Sequence, residues 1–157
     1  MLFHVGYPKA SSTWLQERLF LPQHGFFPVY FNKTDREILN NFLVDPTAFN
    51  YDAARFRADL EERLRHGLER QHTVPVISAE SLTGMSNDAP MGSTKLIAER
   101  IHNTWPDAKI LIVVREQFSI ILSGYFQYVR GGGIRSLESY VHPPSARYSF
   151  DAAWTGV

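Results

Sequence analysis

Residues 2–20 constrain this chain more than any other stretch. They read Leu-Phe-His-Val-Gly-Tyr-Pro-Lys-Ala-Ser-Ser-Thr-Trp-Leu-Gln-Glu-Arg-Leu-Phe. The apolar run Leu2 to Val5 predicts a strand, and Gly6 and Pro8 break it. Ser11, Ser12 and Thr13 then open an amphipathic run with Trp14, Leu15 and Leu19 on one side. Strand, tight loop and helix start, in that order, make an anion site. The first N–H groups of a helix have no internal partner, and the positive end of its dipole faces the loop. Lys9 adds a full positive charge and the three hydroxyls add short donors. A plain N-capped helix is the alternative, since Ser and Thr are favoured caps. A cap needs one hydroxyl and no lysine, so the anion site is the favoured reading.

Along the chain, strand patterns alternate with helix patterns. Pro22 and Gly25 mark a loop, and Pro28 within Phe26–Phe31 demotes that apolar run to an edge strand or extended segment. A helix is predicted from Thr34, with Ile38, Leu39, Phe42 and Leu43 inward, ending at Asp45-Pro46. The clearest helix runs from Tyr51 to Gln71, where Phe56, Leu60, Leu64 and Leu68 recur every four residues. Its arginines alternate with carboxylates, which marks a solvated face rather than a phosphate patch. Val74 to Ala79 predicts a second strand, Thr83 to Gly92 a loop, and Ser93 or Thr94 to Trp105 a helix. Lys109-Ile110-Leu111-Ile112-Val113-Val114 is an unbroken aliphatic run, the pattern of a strand buried on both faces of a parallel sheet. A helix over Gln117–Arg130 follows, then Gly131-Gly132-Gly133, a short helix within Ile134–Val141 and a tail. The alternation predicts a single α/β domain over residues 1–157 with a central parallel sheet flanked by helices.

Parallel sheets bind ligands beyond the carboxyl ends of their strands. The three clearest strands are followed by Lys9, Glu80 and Arg115: two cations and a carboxylate at one expected edge, suited to a multiply charged anion. Overall charge does not compete with this local placement. Lys and Arg number 16, as do Asp and Glu, so no net field draws the chain to nucleic acid or to a membrane surface. With no cysteine, disulfides and thiolate chemistry are excluded. No apolar run is long enough to span a bilayer and no leader pattern precedes the first strand, so a cytoplasmic protein is expected.

The lysine is misplaced for a nucleoside-triphosphate loop, which puts it directly before the hydroxyl residue, after a second glycine. The segment Tyr7-Pro8-Lys9-Ala10-Ser11-Ser12-Thr13-Trp14-Leu15 instead resembles the 5′-phosphosulfate loop of sulfotransferases that use 3′-phosphoadenosine 5′-phosphosulfate (PAPS), usually Y-P-K-S-G-T-T-W-L. Ala10, Ser11 and Ser12 depart from it, Ser11 in place of the glycine. Val113-Val114-Arg115, with Ser123 eight residues on, resembles the same family's 3′-phosphate motif, although Glu116-Gln117 replaces its usual N-P or D-P. The chemistry fits apart from the family: a guanidinium binds phosphate through two parallel charge-assisted hydrogen bonds, and a serine two helical turns on adds a donor. Otherwise Arg115 is a structural arginine paired with Glu116 or Glu80, and Ser123 a small packing residue.

The resemblance covers Met1 to about Gly133. It implies a P-loop NTPase-like three-layer fold and transfer of a sulfuryl group from PAPS to an acceptor hydroxyl or amine, a carbohydrate or glycolipid hydroxyl being favoured, with 3′,5′-diphosphoadenosine (PAP) as product and no metal. Lys9, Ala10, Ser11, Ser12, Thr13 and Trp14 are then the 5′-side binding residues, with Trp14 along the adenine or in the core, and Arg115 and Ser123 hold the 3′-phosphate. Lys9 neutralises the leaving oxygen, and Glu80 is the candidate base, or else a salt-bridge partner of Lys9 or Arg115. His4, inside the first strand, reads as core. The family's usual C-terminal closing segment is absent here, which leaves a non-catalytic nucleotide-binding remnant open, alongside a P-loop kinase or ATP-binding protein.

Overall fold

The computed structural model describes residues 1–30, 33–45, 47, 51–68, 73–83 and 93–141. The expected loop over 84–92, the end of the long helix at 69–71 and the tail from 142 lie outside them. The chain divides into two compact units, Met1–Val114 and Arg115–Val157.

In the first unit, β1 (Leu2–His4), β2 (Phe26–Pro28), β3 (Val74–Ser78) and β4 (Lys109–Leu111) form a sheet in the order β2-β3-β1-β4. Every pairing is parallel, the arrangement expected of an α/β chain. β2 is an edge strand, as Pro28 requires, because proline has no N–H for a ladder on both sides. The aliphatic run corrects its own prediction. Only Lys109–Leu111 is strand, it occupies the other edge, and Ile110, Ile112 and Val114 are 50%, 54% and 70% exposed. Hydrophobicity specified a strand; which strands took the centre was decided by pairing, and β1 and β3 hold it.

Register explains the two sides of the sheet. Phe3 pairs with Ile77 on one face, while Leu2 with Val76 and His4 with Ser78 share the other, since successive side chains point to opposite faces. The Phe3–Ile77 face carries the main core, with residues from α2 (Lys33–Leu39, continuing as a π-helical turn Asn40–Val44), α3 (Ala53–Leu68) and α4 (Ser93–Thr104). Phe56, Leu60 and Leu64 of α3 are buried there at the four-residue spacing read from the sequence. The opposite face is thinner: Leu15 and Phe20 close over Val76.

Two charged groups tie the helices together. Arg100 of α4 is buried, and its guanidinium donates to the carbonyls of Phe42, Leu43, Asp45 and Thr47 at the end of the Asn40–Val44 turn. Such carbonyls lack partners within the helix and form the negative end of its dipole, so a cation belongs there. On α3, Arg63 bonds Asp59 (2.8 Å) and Asp35 (2.6 Å) and lies 4.5 Å over the Tyr30 ring. Tyr30 donates to Asp59 at 2.6 Å. Burial, then that carboxylate, push its phenol well above the ordinary tyrosine range.

In the second unit, α5 (Gln117–Arg130) and α6 (Leu137–Val141) are joined by the glycine run. Glu116 is the N-cap of α5: its carboxylate accepts from the Phe118 N–H (2.7 Å), the Ser119 N–H (2.8 Å) and the Ser119 hydroxyl (2.8 Å). Glutamate thus performs the capping that asparagine or aspartate usually supplies. These bonds, led by the Ser119 and Phe118 amides, hold its carboxyl below the usual glutamate range. A depressed carboxyl contributes stability that is present above the unfolded pKa and lost as pH falls through the folded one. Glu116→Gln is therefore expected to weaken α5 at neutral pH and to match the parent at acid pH, read by amide exchange at Phe118 and Ser119. Tyr128 closes the loop after α5. Its ring lies over Gly133, where a methyl group would collide with it, and its hydroxyl accepts from the Ile134 and Arg135 amides. Among the described residues, no helix is long and apolar enough to cross a membrane.

Candidate functional site

The site grows from the carboxyl end of β1. Val5 still donates to Leu111 O at 3.0 Å, and Gly6 then turns the chain with φ +49°. Ala10 N–H donates to Tyr7 O (3.2 Å) and closes the loop. Lys9 and Ser11 both take positive φ, 65° and 66°, on either side of Ala10. Alternation of left-handed and ordinary residues turns successive peptide N–H groups into one anion-binding concavity. The helix follows at once: Ser12–Trp14 is an α-helical turn (α1) that continues as a π-helical turn over Leu15–Leu19, with Leu15 N–H bonded to Ser11 O at 3.0 Å. Ser11, the N-cap residue, makes no side-chain cap bond.

The left-handed Ser11 also accounts for the sequence departure, because it stands where the resembled motif has glycine. A non-glycine residue there costs about 1–2 kcal/mol, partly offset because glycine loses about 0.4–1 kcal/mol more entropy on folding. Ser11→Gly is expected to stabilise the chain by about 0.5–1 kcal/mol in urea denaturation; destabilisation would show that the serine side chain contributes more than the backbone loses.

Each expected site residue of the first unit has a definite place. Lys9 is partly exposed in the loop, Ser11 and Thr13 are exposed, and Trp14 is 58% exposed, which removes the core-indole alternative. Ala10 is buried and its amide is spent on Tyr7. Ser12 is buried and its hydroxyl has no partner among the described residues. Glu80 opens the turn Glu80–Thr83 directly after β3, closed by the Thr83 hydroxyl on Glu80 O at 2.8 Å. A methyl group on Gly6 would lie 3.5 Å from Ser12 Oγ, 3.6 Å from Glu80 Cγ and 3.6 Å from His4 Cε1. The loop, Ser12, His4 and Glu80 therefore meet at the carboxyl edge of the adjacent strands β1 and β3. Arg115 and Ser123 belong to the second unit: Arg115 is exposed just before the α5 cap, and Ser123 is half-buried within α5.

Beneath the loop runs a polar chain that the sequence did not disclose. His4 is completely buried and its Nδ1 lies 2.8 Å from Ser78 Oγ. Gln16 Nε2 donates to that same hydroxyl (3.0 Å) and to Ser78 O (3.2 Å). Ser78 Oγ has one hydrogen and two lone pairs, so after accepting from Gln16 it can donate to Nδ1 or accept from it; where it donates, the hydrogen of neutral His4 is on Nε2. Among the described residues that Nε2 is buried without a partner. Burial lowers the His4 pKa, against the charge of Glu80, which raises it. A small cleft lies beside this chain, lined by Phe20, Pro28, Tyr30 and Arg36 together with Gln16 and Ser78. Gln16 and Ser78 were legible only as a helix residue and a strand residue; the register of β1 against β3 is what joins them to His4.

Chemically, the loop can hold an oxyanion against backbone N–H groups and Lys9, and Glu80 stands beside it as a proton acceptor. Comparison of the chain with protein-family models, with curated proteins and with solved structures found no match.

Proposed function

We propose that this protein is a PAPS-dependent sulfotransferase with a P-loop-like nucleotide site. One observation carries the reading: Lys9 and Ser11 are both left-handed, and the buried Ser12 hydroxyl beside them has no partner among the described residues. Backbone strain and an unpaired buried hydroxyl each cost stability, about 1–3 kcal/mol apiece, and such features concentrate at functional sites. Both stand in the segment that resembles the 5′-phosphosulfate loop. The second motif adds the residue types that a 3′-phosphate requires, Arg115 and Ser123.

PAPS supplies an activated sulfuryl group. In this reading the loop amides with Ser12 and Thr13 hold the 5′-phosphate, and Trp14, being exposed, is free to lie along the adenine. Glu80 takes the proton from the acceptor hydroxyl as the acceptor oxygen bonds to sulfur. The bond from sulfur to the 5′-phosphate oxygen breaks with its electron pair on that oxygen, and Lys9 neutralises the charge, as in loose phosphoryl transfer. The acceptor proposed is a carbohydrate or glycolipid hydroxyl.

Calorimetric titration tests the nucleotide class. PAP is expected to bind without magnesium and more tightly than ATP with Mg²⁺; the reverse order would assign the loop to a kinase or ATP-binding protein. Transfer of labelled sulfate from PAPS to a panel of sugars and phenols tests the reaction, and PAP binding without turnover would leave a binding remnant.

A further inference from the structure

Resting on that reading, we infer that His4 is a positioning residue for Glu80, its buried Nε2–H being the donor that holds the Glu80 carboxylate while it takes the acceptor's proton. Three observations converge. The ring is fixed, since His4 sits in β1 with Nδ1 bonded to Ser78, and Ser78 is fixed in turn by Gln16. The donor is available, since Nε2 has no partner within the described residues and carries the hydrogen when Ser78 donates to Nδ1. Its position is right, since the imidazole edge and Glu80 Cγ both lie 3.6 Å from the same point above Gly6.

Only a small residue at position 6 leaves this approach open. The charge acting on His4 is that of Glu80. Its other described neighbours are Gln16 and Phe20 from the segment after the loop, Ser12 at its start, Ser78 from β3 and Leu111 from β4, and the charged Arg36 lines the cleft beside Gln16 and Ser78. A charge-assisted hydrogen bond fixes the orientation of the carboxylate that accepts it, so His4 aims Glu80. Protonation then moves through Glu80 alone: the acceptor O–H bond breaks, the proton goes to a carboxylate oxygen, and His4 stays neutral throughout.

Two substitutions separate the two nitrogens. Asparagine at position 4 places its amide near Nδ1 and keeps the Ser78 bond without the Nε2 donor. Glutamine reaches the Nε2 position and loses the Ser78 bond. With His4→Asn, the acidic limb of the pH–rate profile is expected to move up by about one unit, since the carboxylate loses a charge-assisted donor. His4→Gln is expected to return it toward the parent value, and PAP binding is expected to be unchanged in both. An unshifted limb in His4→Asn, or equal shifts in both variants, would overturn the inference. A second measurement does not depend on turnover. ¹⁵N NMR of the histidine side chains is expected to show His4 protonated at Nε2, with a titration midpoint that falls in Glu80→Gln. A proton on Nδ1, or a midpoint indifferent to Glu80, would also overturn it. If PAP does not bind the parent chain, the sulfotransferase reading fails by itself, and the NMR measurement still decides whether His4 and Glu80 act as a pair.

Discussion

Replacing Lys9 by alanine is expected to lower sulfuryl transfer by about 10²–10³-fold, equivalent to 3–4 kcal/mol, the typical loss on removing one charge-stabilising contact at the reacting oxygen. The loss should fall on kcat more than on PAP binding, because the charge that Lys9 meets develops during bond breaking, whereas the loop amides already hold the ground-state anion. Alanine is a fair probe here. Lys9 is left-handed, a conformation as strained for alanine as for lysine, so the loop keeps its shape and only the ammonium goes. Steady-state kinetics with labelled PAPS, with PAP affinity by calorimetry, separate the two parameters. A change of less than threefold in kcat would remove Lys9 from the chemistry, whatever it does for binding.

A second large effect is expected far from the loop. Arg100→Ala should destabilise the fold by about 3–5 kcal/mol, because several backbone carbonyls lose their donor at once. Four backbone carbonyls, those of Phe42, Leu43, Asp45 and Thr47, take their bonds from this one guanidinium. Its planar group also lies 4.7 Å over the Tyr51 ring. Truncation strands several buried acceptors at once, each costing about 1–3 kcal/mol, before any relaxation. A loss of this size is a large share of the stability of an ordinary domain, about 5–15 kcal/mol. Urea denaturation of parent and variant measures it, and Arg100→Lys should be intermediate, since an ammonium cannot span four carbonyls. A loss below 1 kcal/mol would mean that water replaces the arginine at no great expense.

The two predictions mark different kinds of legibility. Lys9 was visible in the sequence because a lysine between a strand and a hydroxyl-rich helix start has few other uses. Arg100 was invisible. In α4 it is one polar residue among several, and its role depends on the end of another helix, reached across more than fifty residues of chain. The same contrast runs through the site. Glu80 could be named because it follows a strand, whereas His4 looked like core and is core, completely buried. What distinguishes it from a packed apolar residue is a neighbour: Ser78 stands opposite it in the register. Periodicity predicts which face a residue takes but never which residue of another strand shares that face.

The local sequence determined the strand–loop–helix order at the amino terminus, the parallel α/β arrangement, and α3, α4 and α5 to within a few residues, because each depends on spacing within one short stretch. The tertiary structure decided that the aliphatic run over 109–114 lies at an edge, that Ser11 takes up a glycine's conformation, and that Glu116 caps α5. It also decided that His4, Ser12 and Glu80 meet beneath one turn. These outcomes depend on competition between strands for the centre of the sheet and on contacts between residues far apart in the chain, and no local pattern of polarity records either.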